Sequence, residues 1–214
     1  MDAVFDNLDA FGDGLLVTLK LSVLSFAIAM VLGCVIATFR VSPVAPLRAA
    51  GLIYVETFRN IPLTVFFALS VFGLPKVGIN ISFFAFAVMV LSVYTGAFVA
   101  EALRSGINTV AAGQAEAARS IGLTFGQTLR LVVVPQALRT VVQPIGSLFI
   151  ALAKNSAIAS AFAVIELTSN FDQLTDKESA TLELLIGTSV AYLLITVPAG
   201  LLTGVVERRV AFKR

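Results

Sequence analysis

Residues 14–39 carry one charged side chain, Lys20, placed near an end of the run where its stem can deliver the ammonium to an interface. A helix needs about 20 mostly apolar residues to cross about 30 Å of hydrocarbon. Four more runs reach that length, at residues 49–72, 81–102, 135–165 and 182–206. The solvent these runs require is lipid. With 58% apolar residues, 13% ionisable ones and a mean hydropathy of +0.96, the chain has too few charges to clothe a water-soluble globule. The expectation is therefore an all-α integral membrane protein, residues 1–214 forming a single transmembrane domain of about five helices.

The missing residue types exclude whole chemistries. There is no His, which removes His-ligated metals, His general bases and the usual Ser-His and Cys-His nucleophiles. One cysteine, Cys34, excludes a disulfide framework and thiolate clusters, so no metal site is expected. No GxxxxGK[ST] or GxGxxG occurs, and the chain has no phosphate-cradling loop of that kind.

Charge asymmetry orients the spans. If the first loop, the connection 103–134 and the C-terminus share one side, that side holds Arg40, Arg48, Arg104, Arg119, Arg130, Arg139, Arg208, Arg209, Lys213 and Arg214, ten of the fifteen cations. The loops opposite hold Lys76 and Lys177 with the acids Asp2, Asp6, Asp9, Asp13, Glu166, Asp172, Asp176, Glu178 and Glu183. The positive-inside rule then puts the N-terminus out and the C-terminus in. The acidic N-terminus lacks a basic n-region and a small-residue cleavage site, so no removable signal peptide is expected. Val4, Phe5, Leu8 and Phe11 share a helical stripe that predicts a short amphipathic helix on the outer surface.

Charges inside the spans are candidates for function. Glu56 and Arg59 are one turn apart, as are Glu101 and Arg104. Arg59 lies about 15 Å into its span, near the midplane, where an unpaired charge is costly. On the residues alone Arg59 is either a pathway charge or the structural partner of Glu56. Glu101 with Arg104 reads as a salt bridge near one interface. The fourth run contains Arg139, Gln143 and Pro144 and is interrupted by Lys154, Asn155 and Ser156, which predicts a broken helix. Irregular backbone at membrane depth is tolerated where it is buried in protein or lines a watery cavity. Lys154 either binds a substrate carboxylate at that break or caps the preceding half-helix.

The connection 103–134 is too charged to cross. Gly113-Gln114-Ala115-Glu116-Ala117-Ala118-Arg119-Ser120-Ile121-Gly122 reads as a helix of two to three turns with Gly122 suited to a left-handed cap. Thr124-Phe125-Gly126-Gln127 fits a capping box that starts a second helix, which makes the connection a helical elbow. Small side chains with Glu116 and Arg119 suit docking into another protein's groove as well as a plain surface helix.

Glu116-Ala117-Ala118, then Gly122, then Val132-Val133-Val134-Pro135 resembles the EAA loop of permease subunits of bacterial ATP-binding-cassette importers, with Val132 and Val134 where Ile and Leu are usual. Phe58-Arg59-Asn60-Ile61-Pro62-Leu63, Glu101-Ala102-Leu103-Arg104-Ser105-Gly106-Ile107, Gly113-Gln114 and Lys154-Asn155-Ser156 are similar to the polar amino acid branch, nearest in look to its glutamate-uptake permeases. The resemblance implies the type I importer permease fold with a cytoplasmic coupling helix. It implies as partners two ATPase subunits that hold ATP and Mg, a second permease, homologous or identical, an extracytoplasmic substrate-binding protein and membrane lipid, with no nucleic acid. Residues 113, 114, 116–119 and 122 would form the coupling contact, and Glu56, Arg59, Asn60, Lys154, Asn155 and Ser156 the substrate pathway. Glu101, Arg104, Pro135 and Pro144 would be structural.

Two rival functions come from other classes. A membrane hydrolase would need Lys154 and Ser156 as a dyad, yet residues two apart on a helix diverge by about 200°. A self-sufficient secondary carrier would need ion-coupling carboxylates and usually an internal repeat, and Glu56 alone is available.

Overall fold

In the computed structural model, which describes residues 2–177 and 180–210, the chain is helical and strand-free among the described residues. Glu178, Lys213 and Arg214, used above to orient the chain, lie outside that set. The helices are α1 (Asp2–Phe5), α2 (Leu8–Val41), α3 (Ala45–Asn60), α4 (Leu63–Ala68), α5 (Phe83–Asn108), α6 (Ala112–Ser120), α7 (Phe125–Thr128), α8 (Val134–Asn155), α9 (Leu167–Lys177) and α10 (Thr181–Val210). Four helical stretches are each long and apolar enough to cross a membrane, α2, α5, Phe125–Phe162 and α10; a fifth, α3 with the segment Leu63–Val77, reaches that length only as a bent pair.

The centre of the molecule is the α2/α5 pair. Thr18, Ser22, Ser25, Ala29, Gly33 and Ala37 form a buried stripe of small side chains on α2, and small residues let membrane helices approach closely. A Cβ on Gly33 would overlap Val99 of α5, so the crossing needs the bare backbone there. The Ser92 hydroxyl donates to the Ser25 carbonyl at 3.1 Å across the same seam. Ser82 caps α5 by accepting from the Ala85 amide at 3.2 Å. At the other end α5 continues six residues past the expected stop at Ala102, to Asn108, because nothing in Leu103–Ile107 breaks a helix.

The second run is not one straight span. α3 and the Leu63–Val77 segment meet at 105°. Pro62 has no amide hydrogen and drives Ile61 to extended backbone (φ −82°, ψ 133°), so α3 stops at Asn60. Beyond the bend, α4 passes into a π-helical turn, Leu69–Gly73, and a 3-10 turn, Leu74–Val77.

The fourth run also differs from expectation. α7 and α8 are continuous through a π-helical segment, Leu129–Val133, so the elbow's second helix and the fourth span are a single helical unit. Pro135 supplies no amide to the Leu131 carbonyl, and the wider turn ahead of it absorbs the ring. Pro144 leaves α8 unbroken. The break comes after Asn155, where a 3-10 segment, Ser156–Phe162, takes over and ends at Ala163 with φ 60°. The two irregular segments lie against each other, with the rings of Phe67 on α4 and Phe162 stacked at 5.2 Å. Each thus covers part of the other, with Ser70, Val71, Ser156 and Ala159 buried while Leu69, Phe72 and Val77 stay exposed.

At the N-terminus the expected amphipathic helix is divided between α1 and the start of α2, with residues 6 and 7 between them. Phe11 is buried, while Phe5 and Leu8 of the same stripe are exposed. The chain turn at 6–7 rotates the two pieces out of the common phase that one helix would give.

Candidate functional site

The elbow is built by local chemistry. α6 closes with Gly122 at φ 91°, its amide donating to the Arg119 carbonyl at 2.9 Å and the Leu123 amide to the Ala118 carbonyl at 3.2 Å. These bonds satisfy the last carbonyls of the helix. Thr124 and Gln127 form the reciprocal capping box: the Thr124 amide donates to Gln127 Oε1 at 2.9 Å, and the Gln127 amide to Thr124 Oγ1 at 3.4 Å. Ala118 is buried, and α6 packs against Leu129–Val133. Gly113, Gln114, Glu116, Ala117 and Arg119 are all exposed. The outward face of α6 is therefore small and flat and carries Glu116, while Arg119, a turn on, also lines the cavity between the elbow and the ends of α2 and α5.

A second constellation gathers near the ends of α2, α3 and α5. Glu101 Oε2 lies 3.4 Å from Arg40 Nη1 and 3.9 Å from Arg59 Nη1, and it accepts from Arg104 Nε at 3.1 Å; Glu101 Oε1 pairs with Arg104 Nη2. The sequence predicts the pair with Arg104. It does not predict that three arginines from three helices share one carboxylate. Arg59 thus pairs with Glu101 and not with Glu56, and its guanidinium also sits 5.5 Å from the centre of the Phe98 ring. Glu101 is seven residues, about 10 Å, from the end of α5. Arg59 accordingly belongs to a charge cluster at the cation-rich end, where the sequence places it near the midplane. The bend after Asn60 shortens the helix that reaches it. Glu56 is exposed, and Asn60 Nδ2 donates to its carbonyl at 2.7 Å and to its Oε2 at 3.2 Å.

Lys154, Asn155 and Ser156 fall at the end of α8. Lys154 is exposed, Asn155 half-buried and Ser156 buried. The Ser156 hydroxyl donates to the Ala153 carbonyl at 2.8 Å, so it faces its own helix and offers no dyad with Lys154. No hydrogen bond or ion pair among the described residues joins Lys154 to Glu56 or Arg59.

Sequence reasoning missed Glu166, assigned above to an outer loop. It is fully buried. The Thr168 and Ser169 amides donate to its Oε1 at 2.8 and 3.0 Å, and the Thr18 and Tyr192 hydroxyls to its Oε2 at 3.2 and 2.9 Å. Glu166 therefore caps α9 and ties it to α2 and α10. Burial pushes its carboxyl above the usual carboxylate range, against the lowering effect of these four donors. The signal available in the sequence was a lone acid directly before Leu167-Thr168-Ser169, in the position of a helix cap.

A model of the family described as binding-protein-dependent transport system inner membrane component matches residues 29–212. The chain is 37% identical over 206 residues to the probable glutamine ABC transporter permease protein GlnM of Bacillus subtilis, covering 96% of this chain and 95% of the relative. It is 40% identical over 211 residues to the glutamate transport system permease protein GluC of Corynebacterium glutamicum, covering 92% of each. Among solved structures, an amino acid ABC transporter crystallised with histidines superposes with a TM-score of 0.90 at 34% identity, covering 96% of both chains.

Proposed function

The chain belongs to the binding-protein-dependent transport system inner membrane component family, and on that premise we propose that it is the membrane subunit of an ATP-driven importer of a polar amino acid, glutamate or a related acidic or amide amino acid. It is a multi-pass membrane protein and a permease, not itself an enzyme. The single observation that carries the reading is α6, a short helix with an exposed small-residue face whose end is set by Gly122.

In this reading α6 seats in a groove on one of two ATPase subunits, which hold the ATP and Mg. Closure of the ATPases moves α6, and α6 packs against the helical unit that runs from Phe125 into α8. A rigid connection of that kind converts a displacement at the elbow into a tilt of a membrane helix, the two-state element that alternating access needs. A second permease, homologous or identical, supplies the other half of the pathway. An extracytoplasmic binding protein delivers the substrate.

The proposed site is the bacterial cytoplasmic membrane, N-terminus out and C-terminus in. Arg40, Arg104 and Arg119 line one cavity, so the ends of α2 and α5 and the elbow share a side. That side is the cation-rich one, hence cytoplasmic. α9 lies at the other end of α2, where Asn170 Nδ2 donates to the Ala10 carbonyl at 2.5 Å.

Arg59, with Asn60 and Lys154, is proposed to attract the anionic substrate. Arg59 is 37% exposed and its carboxylate is shared with two other arginines, which leaves surplus positive charge for an incoming carboxylate. Reconstitution of the chain with its ATPase, second permease and binding protein tests the reading: uptake of labelled glutamate or glutamine should require ATP hydrolysis and the loaded binding protein. Uptake by the chain alone, driven by an ion gradient at constant ATP, would refute it.

A further inference from the structure

A cavity of about 400 Å³ lies where the ends of α2 and α5 meet the elbow. Arg40, Arg104, Arg119, Asn108 and Thr128 provide its polar lining, and no Asp or Glu lines it. The nearest carboxylate, Glu101, is divided among Arg40, Arg59 and Arg104, so it leaves the lining with surplus positive charge. Thr128 Oγ1, on a residue only 5% exposed, is buried without a hydrogen-bond partner, and Arg40 Nη1 is buried with its 3.4 Å ion pair to the shared Glu101 Oε2 but no hydrogen bond. Folded proteins seldom leave such groups unsatisfied unless something else completes them. The missing partner must accept hydrogen bonds and carry negative charge, and the forked guanidinium matches the oxygens of a phosphate.

A second, almost wholly apolar cavity of about 210 Å³ adjoins the first and shares Val41, Ile107 and Leu129 with it. It runs along α2 as far as Cys34, seven residues or about 10 Å from Val41, with Val141 of α8 on its other wall. A cationic cup opening into an apolar groove has the shape of an amphiphile. A soluble phosphate would use the cup and leave the groove empty.

We propose that this composite cavity is a binding site for an anionic phospholipid of the elbow-side leaflet, its phosphate held by Arg40, Arg104, Arg119 and Thr128 and an acyl chain lying in the groove up to Cys34. Cationic pockets between membrane helices are suited to such headgroups. The lipid would stand beside the foot of α6 and make the position of the elbow sensitive to leaflet charge. This goes beyond the transport reading, and its test needs no uptake.

The assembled complex is placed in nanodiscs of phosphatidylcholine with a minor share of phosphatidylglycerol, washed in detergent, and its retained lipids are counted by native mass spectrometry. Phosphatidylglycerol should be retained in preference to phosphatidylcholine. Arg40→Gln should lower that retention roughly tenfold, as expected for losing one charge-assisted contact. Thr128→Val removes a hydroxyl that has no protein partner, so the fold is untouched even if Arg40→Gln assembles poorly; it should lower retention about threefold to fivefold. Equal retention of the two lipids, or of phosphatidylglycerol by the native chain and Thr128→Val, overturns the proposal. If inorganic phosphate binds equally well in phosphatidylcholine alone and phosphatidylglycerol adds nothing, the lipid occupant is overturned. A photoreactive probe on Cys34 should label lipid; labelling of a second permease or an ATPase instead would also overturn it.

Discussion

Arg59 of α3 and Glu101 of α5 approach to 3.9 Å across 42 positions of sequence, while Glu56, a single turn from Arg59, is bonded by Asn60 instead. The pairing follows from the 105° bend after Asn60, which ends α3 beside α5. Glu101 is the hub and Arg59 its most exposed spoke.

That asymmetry sets the order of two stability effects. Glu101→Gln leaves Arg40, Arg59 and Arg104 without their shared carboxylate and should destabilise the protein by about 2 kcal/mol, the scale of a charge-assisted hydrogen bond. Arg59→Gln leaves Glu101 two partners and removes a pair that is over a third exposed, so its effect should stay under about 1 kcal/mol. Thermal unfolding in detergent reads both, and the reverse order would refute the hub.

With the fold retained, Arg59→Gln becomes a clean probe of the pathway. Uptake of acidic amino acids should fall by an amount equivalent to about 1–3 kcal/mol while neutral ones are spared. Equal losses for both substrate classes would assign Arg59 to structure alone.

Coupling is tested at α6. Gly122 sits at φ 91°, where a β-branched side chain is strained by about 1–2 kcal/mol. Gly122→Val should tilt or extend the helix, and Glu116→Lys should reverse the charge it presents. ATPase activity stimulated by the loaded binding protein should fall in both, with substrate binding to that protein unchanged. Full stimulation in both variants would rule out the docking role of residues 113–122.

Sidedness has a direct measurement. Gln114 and Asp172 are exposed on elements at opposite ends of α2, and Ala10 and Arg40, which mark those ends, are about 45 Å apart along the helix. Impermeant reagents should reach a label at Asp172 from outside and one at Gln114 only from the cytoplasm. Reaction of both from one side would exclude the topology.

Glu166 predicts a pH dependence. Its folded-state value is raised above the unfolded 4.5, so between those two values the folded state holds more protons than the unfolded one. Stability must therefore decline as pH rises from about 4.5 through the folded value, and level off above it. Glu166→Gln keeps an acceptor for the Thr168 and Ser169 amides and should abolish that decline in melting temperature. Glu166→Ala strands those amides and should cost about 1–3 kcal/mol throughout. An unaltered slope in Glu166→Gln would refute the assignment.

Features governed by neighbours within a few residues were legible in the sequence: the apolar runs, the Gly122 cap, the Thr124 capping box and the irregularity after Lys154, and with them the family resemblance that the family match bears out. Pro62 carried its message too, but an apolar run of sufficient length hid it, because hydropathy counts transfer energy and ignores a missing amide. Pro135 and Pro144 leave their helical unit continuous, with a π turn immediately ahead of Pro135.

By itself, then, the sequence determined that the chain lives in lipid, how many apolar segments it has and where the caps of its elbow fall, because burial in hydrocarbon and helix capping act over one helix or one turn. Only the tertiary structure decided which charges from different helices meet. Glu101 finds Arg40 and Arg59, and Glu166 finds Thr18 and Tyr192, because the small-residue stripe of α2 and the bend at Pro62 bring distant helices within a few ångströms. No spacing along the chain encodes those distances, which arise from how closely backbones can cross.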